Sequence, residues 1–232
     1  MRIRVASYNV HKGVGTDRAR RPDRILEVLR EIDADIVALQ EADRRFGTRL
    51  AVIAPDAILG TTDYEPVALS ERPHSVGWHG NALLVRRRFA AVANARIDLP
   101  TLEPRGAVCA EVALGPVMLR VVGMHLDLSG FRRGAQAQAV IRHCAACAPM
   151  PTVLMGDLNE WSARGGCLRY FEQGFDQVPL PPSFHSRRPL ARLDRIMVSS
   201  QLSVLASGVH HSATARVASD HLPVWADIEI RT

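Results

Sequence analysis

The sequence has few aromatic residues and no hydrophobic run of membrane-spanning length. Phe, Trp and Tyr make up 5% of its 232 residues, and no stretch approaches the roughly 20 apolar residues that a transmembrane helix needs. The N-terminal segment MRIRVASYNV has no apolar core long enough for a signal peptide and is typical of a strand. We therefore predict a cytoplasmic protein without a membrane span. From its length we expect a single domain over residues 1–232.

Lysine is nearly absent, although the chain is basic. The 29 Lys and Arg residues against 24 Asp and Glu give a net charge of +5, and Lys12 is the only lysine. The arginines are scattered, and their densest cluster, at residues 86–88, is typical of a solvated turn at a strand end. The charge therefore favours an anionic substrate only weakly. No aromatic wedge or basic stripe for gripping duplex DNA is evident, and no segment indicates an obligate protein partner.

Several motifs of other enzyme classes are missing. The four cysteines do not form a disulfide framework, and the C-x-x-C of Cys144 and Cys147 lacks the second pair of ligands that zinc requires. There is no G-x-S-x-G, no G-x-x-x-x-G-K-[ST] and no H-E-x-x-H. These absences argue against a serine hydrolase, a P-loop nucleotide hydrolase and a zinc protease.

Strand and helix patterns alternate in two similar halves. The first helix, RPDRILEVLREIDA, precedes a strand that ends in Glu41, and the second, RRGAQAQAVIRHCAAC from Gly130, precedes a strand that ends in Asp157. Short helices are predicted near Leu50 and over Cys167–Phe171. The other strands are NALLVRR, AAVANARIDL, GAVCAEVAL, VMLRVVGMHLDL, RLDRIMVS, LSVLASGVHH and LPVWADIEI. Helices outside two facing sheets fit this succession, so we predict a layered α/β sandwich with one core.

Polar side chains stand at the ends of the predicted strands, where a core would not select them. They are Asn9, Glu41, His125, Asp127, Asp157, Asn159, Asp194, Ser219, Asp220 and His221. Any one of them could cap a turn or a helix, but their repetition favours one shared site. The oxygen donors Asn9, Glu41 and Asp220 suit Mg²⁺ or Mn²⁺ better than zinc.

The strand end GDLNEW delivers two of these groups together. Asp157 and Asn159 alternate on a segment predicted to be extended, so both would face one side. The carboxylate could take a proton from water, and the amide could donate a hydrogen bond to a developing oxyanion. Asp194 and His221 could pair, which would fix the imidazole tautomer and raise its basicity. These groups predict the attack of water on a phosphoester.

The chain resembles the endonuclease/exonuclease/phosphatase superfamily in an ordered set of motifs. They are SYNV, IVALQEAD, GMHLD, VLMGDLNEW, RLDRIMVS and SDHLPVWADI, and they run from Ser7 to Ile228. The resemblance implies a four-layer α/β/β/α sandwich of two mixed β-sheets flanked by helices, as in deoxyribonuclease I. It also implies divalent-metal-dependent hydrolysis of phosphoesters, with phosphodiesters as the expected class. The alternative is a catalytically inactive relative that binds a phosphorylated partner.

The resemblance also implies roles for the metal and water ligands. Glu41 would be the principal ligand of Mg²⁺ (or Mn²⁺), with Asn9 close to the metal. Asp157 would orient or deprotonate the attacking water, and Asn159 would hold a phosphate oxygen. Asp220 would serve the metal or the nucleophile.

The remaining catalytic positions are histidines and their partner. His221 would contact the scissile phosphate and, paired with Asp194, stabilise its developing charge. His125 is similar to the histidine of deoxyribonuclease I, sphingomyelinases and 5-phosphatases, where abasic-site repair nucleases typically have tyrosine.

Substrate recognition is left open by the sequence. His11 and Lys12 would either meet a substrate phosphate or form a solvent-facing turn, and Arg105 would either face the pocket or begin a strand. The loops Arg44–Gly80 and Pro179–Arg192 are expected to determine specificity. Nucleic acid and phospholipid head groups or other small phosphoesters all remain candidate substrates.

Overall fold

The computed structural model describes residues 1–44, 50–100 and 105–231. In these residues the strands are β1 (Arg2–Asn9), β2 (Ile36–Gln40), β3 (Tyr64–Pro66), β4 (Ala82–Arg86), β5 (Ala90–Ile97), β6 (Gly106–Leu114), β7 (Val117–His125), β8 (Thr152–Asp157), β9 (Asp176–Gln177), β10 (Asp194–Val198), β11 (Leu202–Val209) and β12 (Val224–Ile230). The helices are α1 (Pro22–Ile32), α2 (Pro55–Thr61), α3 (Gly130–Ala146), α4 (Leu168–Phe171) and α5 (Ala215–Ala218). A 3₁₀ turn spans His11–Gly13.

The strands form two six-stranded mixed sheets. The first sheet has the order β11-β12-β1-β2-β4-β3, and the second has the order β5-β6-β7-β8-β10-β9. Each sheet contains one parallel pair at its centre, β1 with β2 and β7 with β8. In these pairs Asn9 lies opposite Gln40, and His125 lies opposite Asp157. Because parallel strands end at the same edge, each sheet gathers two polar strand ends.

Alternation of side chains along the strands produces the layers. On β8, Val153 and Met155 pack in the apolar layer between the sheets, whereas Leu154 packs with residues of α3 such as Val140. A third apolar cluster joins the outer face of the first sheet to α1. The helices therefore cover the outer faces of the two sheets, which confirms the four-layer α/β/β/α sandwich.

Helix α1 shows why the sequence folds locally as predicted. Pro22 lies in its first turn, where a missing N–H costs nothing, and Asp33 ends the helix in the left-handed conformation with φ 53°. Ile25, Val28 and Leu29 are fully buried on the face that meets the first sheet. This is the periodic apolar face that the sequence predicts.

Two sequence expectations need correction or stay open. The short helix expected near Leu50 begins instead at Pro55, because a proline favours the first helical turn. Residues 45–49 lie outside the described part of the chain. The single-domain organisation stays a prediction. No helix in the described ranges combines the length and the apolar content needed to cross a membrane.

Candidate active site

The polar strand ends of the two sheets meet at Asp157. The Asn9 amide, at the end of β1, donates a hydrogen bond from Nδ2 to Asp157 Oδ2 over 2.9 Å. His125 Nε2, at the end of β7, lies 3.3 Å from the same oxygen, and His221 Nε2 lies 3.7 Å from it. One carboxylate oxygen is therefore shared by groups from both sheets and from the segment before β12.

Gly156 brings Asp157 to this position. Its φ of +155° is one that residues with a side chain rarely adopt, and a Cβ here would lie 1.9 Å from the carbonyl oxygen of Met124. Only glycine lets β8 run this close to β7. The close approach sets Asp157 opposite His125 in the parallel register.

Asp157 is an ionised carboxylate in a buried place. Its exposed fraction is 1%, and burial alone would raise the pKa of its carboxyl group. The neighbouring His221 and His125, together with the backbone N–H of Asn159, outweigh that effect and hold the pKa of Asp157 well below its ordinary value. Such a group accepts hydrogen bonds strongly but is a weak base.

His221 is held by a second buried carboxylate. Its Nδ1 lies 2.9 Å from Asp194 Oδ2, and the Ser183 hydroxyl donates to the same oxygen. Burial disfavours the imidazolium, but Asp194 and Asp157 outweigh it and raise the pKa of His221 to about 10. The Phe184 ring covers the imidazole, with 4.8 Å between ring centroids. His221 is therefore a cation at neutral pH.

The extended conformation predicted for residues 157–159 is wrong. Strand β8 ends at Asp157, and Asn159 has a φ of 50°, in the left-handed region. Its backbone N–H donates to Asp157 Oδ1 over 2.9 Å, so the aspartate side chain closes the turn. The Asn159 amide donates from Nδ2 to the Leu126 carbonyl over 3.0 Å. A turn rather than strand alternation therefore sets the position of Asn159, and its amide is held by the Leu126 carbonyl.

Glu41 lies directly after β2 and contacts the only lysine. The Lys12 ammonium is 2.6 Å from Glu41 Oε2. Burial disfavours the ionised carboxylate, but His125, Lys12 and His11 outweigh it and hold the pKa of Glu41 below its ordinary value. Both Lys12 and Glu41 have a φ of 55°, so left-handed backbone is present on each side of the contact. Such conformations cluster at functional sites.

The other predicted residues divide between the site and its surroundings. His11 Nδ1 lies 2.9 Å from the Val14 carbonyl oxygen and 3.7 Å from Asp220 Oδ1. The Arg105 guanidinium contacts His125 Nε2, so Arg105 faces the site. Asp127 instead accepts a hydrogen bond from the Ser129 N–H and takes no part in the contacts with Asp157.

Comparison with known proteins identifies the family. The sequence profile of the endonuclease/exonuclease/phosphatase family matches residues 6–221. The chain belongs to this family. A search of curated protein sequences finds no match.

Solved structures of the endonuclease/exonuclease/phosphatase family have the same fold. A family member from Bacteroides vulgatus is 18% identical, with a TM-score of 0.79 and 100% of both chains covered. TDP2 of D. rerio, in complex with a single-strand DNA product, is 17% identical, with a TM-score of 0.74, and the match covers 98% of this chain and 99% of that one. A mannosyl-6-phosphatase from Bacteroides thetaiotaomicron is 19% identical, with a TM-score of 0.75 and coverage of 98% and 100%. Family membership supports a phosphoester hydrolase of the nuclease or phosphatase type.

Endonuclease/exonuclease/phosphatase enzymes generally depend on a divalent metal, and the donor set of this chain fits one. The ligand atoms of Asp157, Asp194 and His221 lie within 4.8 Å of one another. His221 Nδ1, however, is already paired with Asp194. Glu41 offers an ionised carboxylate with 20% of its side chain exposed, and hard cations prefer oxygen ligands. Glu41 therefore fits the ion better than the histidine cluster does.

The sequence does not single out Ser183 as a site residue, and it does not indicate the partner of Lys12. Ser183 lies in a proline-rich loop without any pattern and still contacts Asp194. Lys12 was considered only as a phosphate contact or a solvent-facing residue, whereas the structure places it on Glu41. Its being the sole lysine among 29 basic residues was the signal that could have singled it out.

Proposed function

We propose that this chain is a divalent-metal-dependent phosphodiesterase that hydrolyses its substrate with water positioned by Asp157. The observation that carries the proposal is the convergence of Asn9, His125 and His221 on one oxygen of this buried carboxylate. A site that gathers an ionised acid and an imidazolium can hold both a nucleophilic water and an anionic phosphoryl group.

The charges of Asp157 and His221 suggest a different role for each residue in the reaction. Asp157, with its lowered pKa, accepts a hydrogen bond from the attacking water and orients it toward phosphorus. His221, held as imidazolium by Asp194, donates a hydrogen bond to a phosphoryl oxygen as negative charge develops there. The new O–P bond forms from water and the bond to the leaving oxygen breaks. The attacking water gives up one proton to solvent and the leaving oxygen takes one from solvent, so the products are a phosphomonoester and an alcohol.

The remaining residues would hold the ion and the substrate. Glu41 would be the principal metal ligand, and Asn9 and Asp220 would contribute oxygen atoms beside it. When bound, Mg²⁺ or Mn²⁺ would neutralise phosphoryl charge and lower the pKa of bound water. Arg105, which contacts His125, would bind the substrate phosphate. His11, which lies near Asp220, would bind it as well.

The proposed substrates are phosphodiesters, which are fewer than the phosphoesters that the whole family hydrolyses but include more than one compound. Solved relatives include one bound to a single-strand DNA product, one named for mannosyl-6-phosphate and a human Nocturnin domain with a bound sulfate anion. We propose that the chain hydrolyses phosphodiesters, with nucleic acid and phospholipid as the substrate classes. We also propose that it acts in the cytoplasm.

Hydrolysis of bis-p-nitrophenyl phosphate tests the proposal. We expect turnover that EDTA abolishes and that Mn²⁺ or Mg²⁺ restores. Asp157→Asn should lower turnover roughly 100-fold or more, whereas the matched control Asp127→Asn should retain it. Chelator-resistant turnover would contradict the metal assignment, and full activity of Asp157→Asn would remove the residue from water positioning. Phosphate binding without any turnover would favour the inactive relative.

A further inference from the structure

Large apolar side chains are concentrated around the candidate active site. Within the described part of the chain, eight of them are exposed. Four lie on three segments that flank the site residues, namely Leu128 (68% exposed), Phe131 (91%), Trp161 (68%) and Leu190 (74%). We call these four residues the rim. They follow β7, follow β8 and precede β10, the strands that carry His125, Asp157 and Asp194.

Internal contacts join two of the three segments of the rim. Arg133 and Glu160 form a buried ion pair over 3.3 Å, and Arg133 also donates to the Leu128 carbonyl over 2.7 Å. The segment of Leu128 and Phe131 is therefore tied to the segment of Trp161. Buried ionic and hydrogen-bond contacts thus support side chains that remain largely exposed.

An aromatic contact connects the rim to the catalytic histidine. The Trp161 and Phe184 rings meet edge to face at 6.2 Å, and Phe184 lies 4.8 Å from the His221 ring. The Leu190 N–H donates to the Phe184 carbonyl over 2.7 Å. Trp161 and Leu190 of the rim are therefore linked to His221 through Phe184.

The charge of the same segments is almost entirely positive. Residues 126–133, 158–167 and 178–193 contain six arginines and two carboxylates. Both carboxylates are engaged internally, Glu160 with Arg133 and Asp127 with the Ser129 N–H. The arginines other than Arg133 are Arg132, Arg164, Arg187, Arg188 and Arg192, and all but the half-buried Arg132 are exposed. The three segments thus carry exposed apolar side chains and exposed arginines together.

We propose that the rim docks this protein on an anionic phospholipid surface, and that the phosphodiester at its active site is that of a lipid head group. Protruding apolar side chains interleaved with arginine are the combination that binds an anionic interface, because the apolar groups enter the acyl boundary and the cations attract the head groups. The identity of the ester rests on the proposed function; the docking does not.

Two features favour lipid over single-stranded nucleic acid. Leu128 and Leu190 are aliphatic, and aliphatic tips enter a lipid interface but offer no face on which a base can stack. Trp161 and Phe184 meet at an interplanar angle of 83°, so together they form an edge contact rather than a parallel stacking platform.

Vesicle sedimentation in EDTA tests docking separately from hydrolysis. We expect wild-type protein to bind vesicles of equal parts phosphatidylcholine and phosphatidylglycerol, to bind pure phosphatidylcholine much less, and to be released by salt. The double variant Phe131→Ala/Leu190→Ala should bind the anionic vesicles about tenfold more weakly. The matched control Val92→Ala/Leu205→Ala removes two exposed apolar side chains from β5 and β11 and should bind as wild type does.

The outcomes separate docking from the proposed function. Wild-type protein that stays in the supernatant, or equal weakening in both double variants, would overturn the docking proposal. So would rim-dependent binding of a poly-dT oligonucleotide without vesicle binding, since it would reassign the surface to single-stranded nucleic acid. Vesicle binding without hydrolysis of any soluble diester would leave docking standing and would refute the phosphodiesterase. Hydrolysis of a soluble diester without vesicle binding would do the reverse.

Discussion

Replacing Asp194 by Asn should lower the pKa of His221 part of the way back toward that of an ordinary imidazole. Asp194 Oδ2 lies 2.9 Å from His221 Nδ1 in a place where the side chain of Asp194 has no exposed surface. Asp194 is the strongest of the groups that raise the pKa of His221, ahead of Asp157. A rise from 6.5 to about 10 corresponds to roughly 5 kcal/mol of preference for the imidazolium. Losing the charge of Asp194 should therefore lower the pKa of His221 by about 2.

The pKa of His221 can be measured by NMR titration of the imidazole resonances in EDTA, with Asp227→Asn as a control because Asp227 pairs with Arg4 on β1. A pKa of His221 that is equal in wild-type protein and in Asp194→Asn would refute the electrostatic account of the pair. In that case hydrogen bonding to the neutral imidazole would describe the contact better.

The same pair predicts how stability depends on pH. A pKa raised by folding means that the folded chain binds the proton more tightly than the unfolded chain does. The contribution of His221 to the free energy of unfolding is therefore complete below pH 6.5 and is lost as the pH rises toward 10. Urea unfolding across this interval should show a smaller loss for Asp194→Asn than for wild-type protein. An equal loss in both proteins would contradict the prediction.

Two further substitutions test the local structure. Lys12→Met should strengthen Mn²⁺ binding about tenfold, because the ammonium beside Glu41 opposes the binding of a second cation. The variant Lys12→Arg keeps the positive charge and serves as the control. Binding is measured by electron paramagnetic resonance, and unchanged or weaker Mn²⁺ binding in Lys12→Met would contradict the expectation. Gly156→Ala should lower the free energy of unfolding by about 3 kcal/mol, because its Cβ would collide with the Met124 carbonyl. The control Gly60→Ala has open space around it, so a similar urea midpoint for both alanine variants would contradict the collision.

Regular elements could be predicted because their patterns are local. The apolar positions of α1 recur at the helical period, and the strand ending in Asp157 is a continuous apolar run. The positions of Asn9, Glu41 and Asp157 at the carboxyl ends of parallel strands then follow from topology alone. The succession of helices and strands favoured helices outside two facing sheets, and the motif resemblance implied the same four layers.

Contacts between distant loops could not be predicted. The left-handed turn at Asn159 depends on a hydrogen bond to the Asp157 side chain, which strand alternation ignores. Phe184 lies in a proline-rich loop without periodicity and contacts the His221 ring. Lys12 contacts Glu41, and both residues have left-handed backbone conformations. The turn at Asn159 is a local feature that the assumption of strand alternation overlooked. The Phe184 and Lys12 contacts depend on which segments tertiary packing brings together, and a single sequence carries no direct signal of that.

The central claim is that the polar strand ends of both sheets form one site that holds a divalent cation at Glu41. Anomalous diffraction from crystals soaked in Mn²⁺ tests it most directly. We expect a peak bonded to a Glu41 carboxylate oxygen, with Asp157 beside it, and its loss in Glu41→Gln. A peak confined to surface carboxylates, or one that persists unchanged in Glu41→Gln, would contradict the account.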